Sequence, residues 1–111
     1  MFEDPSVPGI GQGIVAEGIV KGNIVSGRNT GIQARGTVIG NFVENNSSTG
    51  IVVSPGSTVI GNTALNNRDV GIAVLCPANL TDNTATGSTV NIQLIGKGCR
   101  DEGNLPPGKE E

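Results

Sequence analysis

Acidic side chains are the residue type in this chain most suited to catalysis or metal binding. Residues 13–99 contain four of them, Glu17, Glu44, Asp69 and Asp82. Hydrolysis of a glycosidic bond uses two carboxyl groups that face each other at a defined separation, and a calcium site needs several clustered oxygen ligands. The four acids stand far apart in the sequence, and the chain has no histidine. We therefore expect no catalytic residue, no metal site and no cofactor.

Asparagine forms the most regular polar feature, at Asn23, Asn41, Asn62 and Asn83. A stack of side-chain amides could bind a sugar. It could also form a structural ladder in which each amide bonds to its neighbours and to the backbone of stacked strands. We favour the structural ladder, because the asparagines recur with the same period as the rest of the sequence.

The two cysteines, Cys76 and Cys99, are separated by slightly more than the length of one internal repeat. This spacing predicts a disulfide between neighbouring repeats, worth about 3 kcal/mol by its effect on chain entropy; the alternative is two separate buried thiols. A disulfide indicates an oxidising, extracytoplasmic or secreted location. Three asparagines also begin N-glycosylation sequons, at Asn45, Asn46 and Asn79.

These residues are carried by an internal repeat that opens with Gly-Ile. The glycines are Gly13, Gly31, Gly50 and Gly71, with a weaker copy at Asn91, so successive copies are offset by 18, 19, 21 and 20 (31−13, 50−31, 71−50, 91−71). A period of roughly 20 residues is typical of a solenoid, in which each repeat packs only on its neighbours.

Each repeat contains three short segments in which apolar and polar residues alternate, separated by Gly, Asn, Pro or Ser. Alternation over four or five residues predicts half-buried strands, and no segment shows a helical apolar stripe. We therefore predict an all-β fold of about 4–5 triangular coils, each of roughly 18–21 residues. Four columns of side chains should face inward, with these members: Ile14, Ile32, Ile51, Ile72 and Ile92; Ala16, Ala34, Val53, Val74 and Leu94; Val20, Val38, Val59 and Leu80; Val25, Val43, Ala64 and Ala85.

The sequence Val-Ile-Gly-Asn occurs twice, at residues 38–41 and 59–62. Together with the Gly-Ile starts and the asparagine column, it makes residues 10–96 resemble the right-handed parallel β-helix proteins of the pectate-lyase-like superfamily. The resemblance implies right-handed coiling and structural asparagines. Enzymes of that superfamily use grouped aspartates with an arginine, or aspartate pairs with a histidine, and neither pattern is present here. The resemblance therefore predicts a fold and no activity.

Composition divides the chain into three parts. Residues 1–12 are predicted to be a lead-in or cap, residues 13–99 the β-helix, and residues 100–111, which are charged and rich in proline, a flexible tail. Residues 1–4 lack the basic and apolar start of a signal peptide.

The net charge is −3, and the seven basic residues form no cluster, so we expect no nucleic-acid partner. There is no apolar run long enough to span a membrane.

Outward positions of the predicted coils carry four large apolar side chains close to the asparagine corner, Ile24, Ile39, Phe42 and Ile60. A contiguous apolar surface of this kind marks an interface. Capping of the solenoid ends also looks sparse. We therefore predict a homo-oligomer, a trimer or dimer; the alternative is that a terminal segment of the same chain covers these residues.

The sequence thus favours a non-catalytic structural or interaction module. One alternative is a carbohydrate- or polysaccharide-binding module, although the chain has neither Trp nor Tyr to stack on a sugar. A second is a polysaccharide lyase or hydrolase whose site is shared between subunits and uses Glu17, Arg35, Glu44 or Asp69.

Overall fold

The computed structural model describes residues 12–110. Regular structure in this part of the chain consists of strands alone. The thirteen strands are β1 (Gln12–Lys21), β2 (Ile24–Ser26), β3 (Thr30–Ile39), β4 (Phe42–Glu44), β5 (Thr49–Val53), β6 (Thr58–Ile60), β7 (Thr63–Leu65), β8 (Val70–Leu75), β9 (Asn79–Thr81), β10 (Thr84–Thr86), β11 (Val90–Ile95), β12 (Arg100–Glu102) and β13 (Lys109–Glu110). Residues 12–110 include no helix of the length and apolarity needed to cross a membrane.

The strands coil into a parallel β-solenoid of about five turns. Every strand pair is parallel, and each strand bonds to its counterpart in the next coil, as in the register Ile32↔Ile51 and Ile51↔Ile72. One sheet runs in the order β12-β9-β6-β3-β5-β8-β11-β13, with β1 paired to β3, and a second runs β10-β7-β4-β2. The predicted all-β solenoid of stacked coils is confirmed.

The first two coils turn their first corner without interrupting the strand. β1 and β3 each extend for ten residues, and Gly18 and Gly36 carry the chain around the bend with φ angles of 104° and 132°. In the third coil, residues 54–57 form a separate turn between β5 and β6. The sequence predicted three segments in every coil, whereas the first two coils contain two strands each.

The interior is filled by the predicted columns of aliphatic side chains. Ile32, Ile51 and Ile72 are fully buried, as are Val38, Val59 and Leu80 in the next column, and the remaining inward residues are buried too apart from Ala16, which is half-buried. Such columns bury apolar surface only when coils stack, so stability arises between neighbouring coils.

Residues 100–110 continue the solenoid, which differs from the predicted flexible tail. Arg100–Glu102 pairs with β9, Asn104 is buried, and Lys109–Glu110 pairs with β11. Arg100 and Glu102 point outward and bond to each other at 3.2 Å, so the charges that suggested a tail lie on the surface of a strand. The predicted lead-in over residues 1–12 lies outside the described residues except for its last position.

Candidate interaction surface

Four apolar side chains flank the asparagine corner on the outside of the first three coils. Ile39 of β3 pairs in register with Ile60 of β6, and Ile24 of β2 pairs in register with Phe42 of β4. Ile24 is 79% exposed, whereas the other three are half-buried. We call Ile24, Ile39, Phe42 and Ile60 the apolar strip. The structure thus pairs Ile39 with Ile60 and Ile24 with Phe42, on the two sides of the corner, among the residues that the sequence proposed as an interface.

Small polar side chains continue both columns of the apolar strip. Thr81 follows Ile60 in one column, and Thr63 and Thr84 follow Phe42 in the other. These threonines are half-buried. Lys21 precedes Ile39 in its column and is exposed. The strip is therefore an apolar centre with hydroxyl groups on one side and a charged residue on another.

Beneath the apolar strip, the asparagine ladder runs along the corner. Asn62 shows its geometry: the side-chain Oδ1 accepts hydrogen bonds from the backbone N and the Nδ2 of Asn41, both at 2.9 Å. Its Nδ2 donates to the carbonyl oxygen of Val38 at 2.9 Å and to Oδ1 of Asn83 at 3.0 Å. One side chain thus bonds to the coil before it and the coil after it. Asn62 and Asn83 are buried, and Asn23 at the start is half-buried.

The structure contains two further ladder features that sequence reasoning missed. Asn104 is a fifth member, because its Oδ1 accepts hydrogen bonds from the backbone N and the Nδ2 of Asn83. Its position one full period after Asn83 could have revealed Asn104 as a ladder member, but the surrounding segment was predicted to be a tail. A second ladder joins Asn46 to Asn67, with Asn46 Nδ2 donating to Asn67 Oδ1 at 2.8 Å. The sequence contained a signal for this second ladder, because the polar corner that closes the repeat holds Asn46 in one coil and Asn67 in the next.

The acidic residues proposed for a shared catalytic site are not brought together within the described chain. Glu17 Oε2 lies 3.7 Å from Nη1 of Arg35 in the next coil, and both side chains are well exposed. Glu44 lies in the other sheet, and Asp69 lies in an exposed corner. Within residues 12–110, no group of three or more His, Cys, Asp or Glu residues could hold a metal ion.

The Glu17–Arg35 pair borders a shallow groove of about 350 Å³ on the first sheet face. The outward side chains of Val15, Gln33 and Ser54 also line it. It is a depression of mixed polarity that can accept a solvent-exposed ligand.

The predicted disulfide between Cys76 and Cys99 is present, with the two Cα atoms 5.0 Å apart. It joins the corners that follow β8 in the fourth coil and β11 in the fifth coil. Of the three sequon asparagines, Asn46 is 1% exposed and serves in the second ladder, whereas Asn45 and Asn79 are exposed. Burial therefore removes Asn46 from the candidates for modification.

A family model described as a right-handed beta helix region matches residues 2–101. Comparison with curated proteins gave no significant match, and neither did comparison with solved structures. The match spans nearly the whole solenoid and agrees with its stacked parallel coils, inward aliphatic columns and asparagine corner. This chain belongs to the right-handed β-helix family.

Proposed function

We propose that this protein is a non-catalytic structural or interaction module that acts outside the cytoplasm and self-associates through the apolar strip. The observation that carries the proposal is Ile24, whose side chain is 79% exposed next to Phe42 in the adjoining coil. The disulfide supports the extracytoplasmic location, because such bonds persist in oxidising compartments.

Self-association would remove these side chains from water. A stable interface buries about 800 Å² on each partner, with an apolar centre and a polar rim. The apolar strip would supply the centre, and Thr63, Thr81 and Thr84 would supply part of the rim. Full burial of an isoleucine contributes roughly 1.5–3 kcal/mol, so Ile24 is the strip residue whose loss should weaken association most.

Sedimentation velocity across a range of micromolar concentrations tests this proposal. We expect the parent protein to form a dimer or trimer. Ile24→Ser should shift it toward monomer, with a dissociation constant at least tenfold higher. Ile19→Ser is the matched control, because Ile19 is 75% exposed in the same coil but lies outside the strip. A parent protein that sediments as a monomer of 11.2 kDa at all concentrations would contradict self-association.

The groove beside Arg35 favours a second candidate, a polysaccharide-binding module. Its polar and charged lining, with Gln33, Ser54, Glu17 and Arg35, could bond to the hydroxyl groups of a sugar chain. Retention on a polysaccharide matrix that Arg35→Ala abolishes, with Lys97→Ala as an exposed control outside the groove, would support this candidate. Cleavage of the polymer that Glu17→Gln abolishes would instead support a lyase or hydrolase.

A further inference from the structure

We infer that two copies of this chain pack side by side as a two-fold dimer whose solenoid axes run antiparallel. In this dimer, Ile24 of each copy contacts the partner's Leu105. Lys21 of each copy pairs with the partner's Glu102. The inference rests on the proposed self-association through the apolar strip and specifies how the two copies are arranged. It follows from the order of side chains in the two outward columns that flank the asparagine corner.

The column on the second-sheet side of the corner has a strongly exposed apolar side chain in both its first and its fifth coil. From the first coil to the fifth, its members are Ile24, Phe42, Thr63, Thr84 and Leu105. Ile24 is 79% exposed and Leu105 is 65% exposed. A two-fold axis in the contact surface, perpendicular to the solenoid and level with Thr63, places Ile24 opposite the partner's Leu105 and the partner's Ile24 opposite Leu105. Each contact removes two exposed apolar side chains from water.

The column on the first-sheet side of the corner complements itself in charge under the same rotation. From the first coil to the fifth, its members are Lys21, Ile39, Ile60, Thr81 and Glu102. Rotation about the level of Ile60 places the exposed Lys21 opposite the partner's exposed Glu102. Glu102 also bonds to Arg100 at 3.2 Å. The exposed carboxylate of Asp82 lies in the preceding coil, so this end of the surface keeps a net negative charge for the partner's lysine.

The corner between the two columns leaves room for a partner. Gly22, Gly40 and Gly61 occupy its outer position in the first three coils, and a Cβ added at any of them would meet no atom within 4 Å beyond its chain neighbours. No side chain at this position therefore projects between the columns in these coils. Asp82 takes the position in the fourth coil, and the two-fold axis places it opposite the partner's Gly40. One copy can therefore contact both columns of the other.

The order of charges distinguishes this dimer from an assembly with parallel axes. When the axes are parallel, as in a trimer about an axis along the solenoids, coils of equal number lie at the same level. Lys21 is then level with the partner's Lys21 and far from the partner's Glu102. Like charges across an interface oppose association, whereas opposite charges fix its register. Within one chain, four coil spacings of about 19 Å in total separate Lys21 from Glu102, more than the Debye length of about 8 Å, so the two groups influence each other mainly across the interface.

Charge reversal tests the antiparallel arrangement by sedimentation equilibrium. Lys21→Glu or Glu102→Lys alone places like charges opposite each other at two symmetry-related positions, and we expect each to raise the dimer dissociation constant about tenfold. The double variant Lys21→Glu/Glu102→Lys restores opposite charges at both positions and should recover most of the lost affinity. Lys97→Glu is the control, because Lys97 is exposed in the corner after β11, and it should leave the dissociation constant unchanged.

A double-mutant cycle tests the apolar contact. In the antiparallel dimer, Ile24→Ser and Leu105→Ser each break the same two contacts, so the double variant should lose little more affinity than either single variant. Side chains that do not touch would instead multiply their losses. The hydrogen bonds of Leu105 to Asn83 and Ala85 use backbone atoms, so Leu105→Ser should keep the fold, and the melting temperature of each variant checks this.

The outcomes separate this inference from the proposed self-association. A parent protein that stays monomeric at every concentration would contradict both. A parent that associates, with single charge variants that bind as tightly as the parent or a double variant without recovery, would overturn the antiparallel arrangement alone. Losses that multiply for Ile24→Ser and Leu105→Ser would overturn the contact between these two side chains.

Discussion

At the scale of single residues, Gly31, Gly50 and Gly71 each stand directly beneath the backbone of the next coil. A Cβ added at Gly50 would lie 2.5 Å from the carbonyl oxygen of Gly71, and one at Gly71 would lie 2.5 Å from that of Asn91. Both distances are shorter than side chains tolerate. The fifth copy of the repeat can begin with Asn91, because β13, the strand paired beyond it, reaches only Gln93 and Leu94.

The asparagine ladder gives the first stability prediction at this scale. Asn62→Ala removes the acceptor of the Asn41 backbone N–H and the donor to Val38 in a fully buried position. We expect a loss of about 3 kcal/mol in the free energy of unfolding, because each stranded buried group costs roughly 1–3 kcal/mol. Chemical denaturation measures this loss.

Asn23→Ala is the internal comparison, since Asn23 is half-buried and donates to Asn41 at the first rung of the described ladder. It should cost roughly 1 kcal/mol. Equal losses for the two variants would contradict the view that burial between two coils gives the ladder its strength.

At the scale of the strands, alternation was enough to predict which side chains face inward. Ile51 and Val53 of β5 are fully buried, and Val52 between them is half-buried. The corners were harder to predict. Gly36 bends a continuous strand and pairs in register with Gly18 of the preceding coil. The two glycines belong to different coils, so no local stretch of sequence contains that pairing.

Ile51→Asp tests the inward and outward assignment. The substitution places a charge in a column with no exposure and no polar partner, at a cost of about 3–5 kcal/mol or more. That cost is comparable to the stability of a small domain, so we expect no cooperative thermal unfolding by circular dichroism. Val15→Asp is the control, because Val15 is 47% exposed, and it should melt close to the parent. A parent-like melt for Ile51→Asp would reverse the assignment.

At the scale of the whole molecule, the period predicted the number of coils but not that residues 100–110 continue the solenoid. Residues 100–111 have the charge and proline content of a linker. The central residue of β12, Asp101, is charged, so this strand shows no alternation of apolar and polar residues. Residues 96–99 also lengthen the preceding corner and disturb the spacing. The apolar strip could be predicted because alternation assigns the inward residues of each coil. The residues between them, including Ile24, Ile39, Phe42 and Ile60, must then face outward.

The disulfide belongs to this scale because it ties the last two coils together. Replacing both Cys76 and Cys99 by serine should lower the free energy of unfolding by about 3 kcal/mol and leave the β-sheet circular dichroism spectrum unchanged. Reductant should lower the melting temperature of the parent and have no effect on the double variant. Equal stability of the oxidised and reduced parent would contradict this role.

The direction of the asparagine ladder has one more consequence. From Asn23 to Asn83, one N–H of each amide donates to the amide oxygen of the next rung toward the C-terminal end of the solenoid, while a second N–H of the later rungs bonds to the backbone of the preceding coil. The amide dipoles therefore add along the axis and polarise one another, much as peptide dipoles do in a helix. The positive pole falls at Asn104, whose Nδ2 donates a hydrogen bond to the carboxylate of Asp101. The negative charge of that carboxylate therefore lies at the positive end of an aligned row of dipoles.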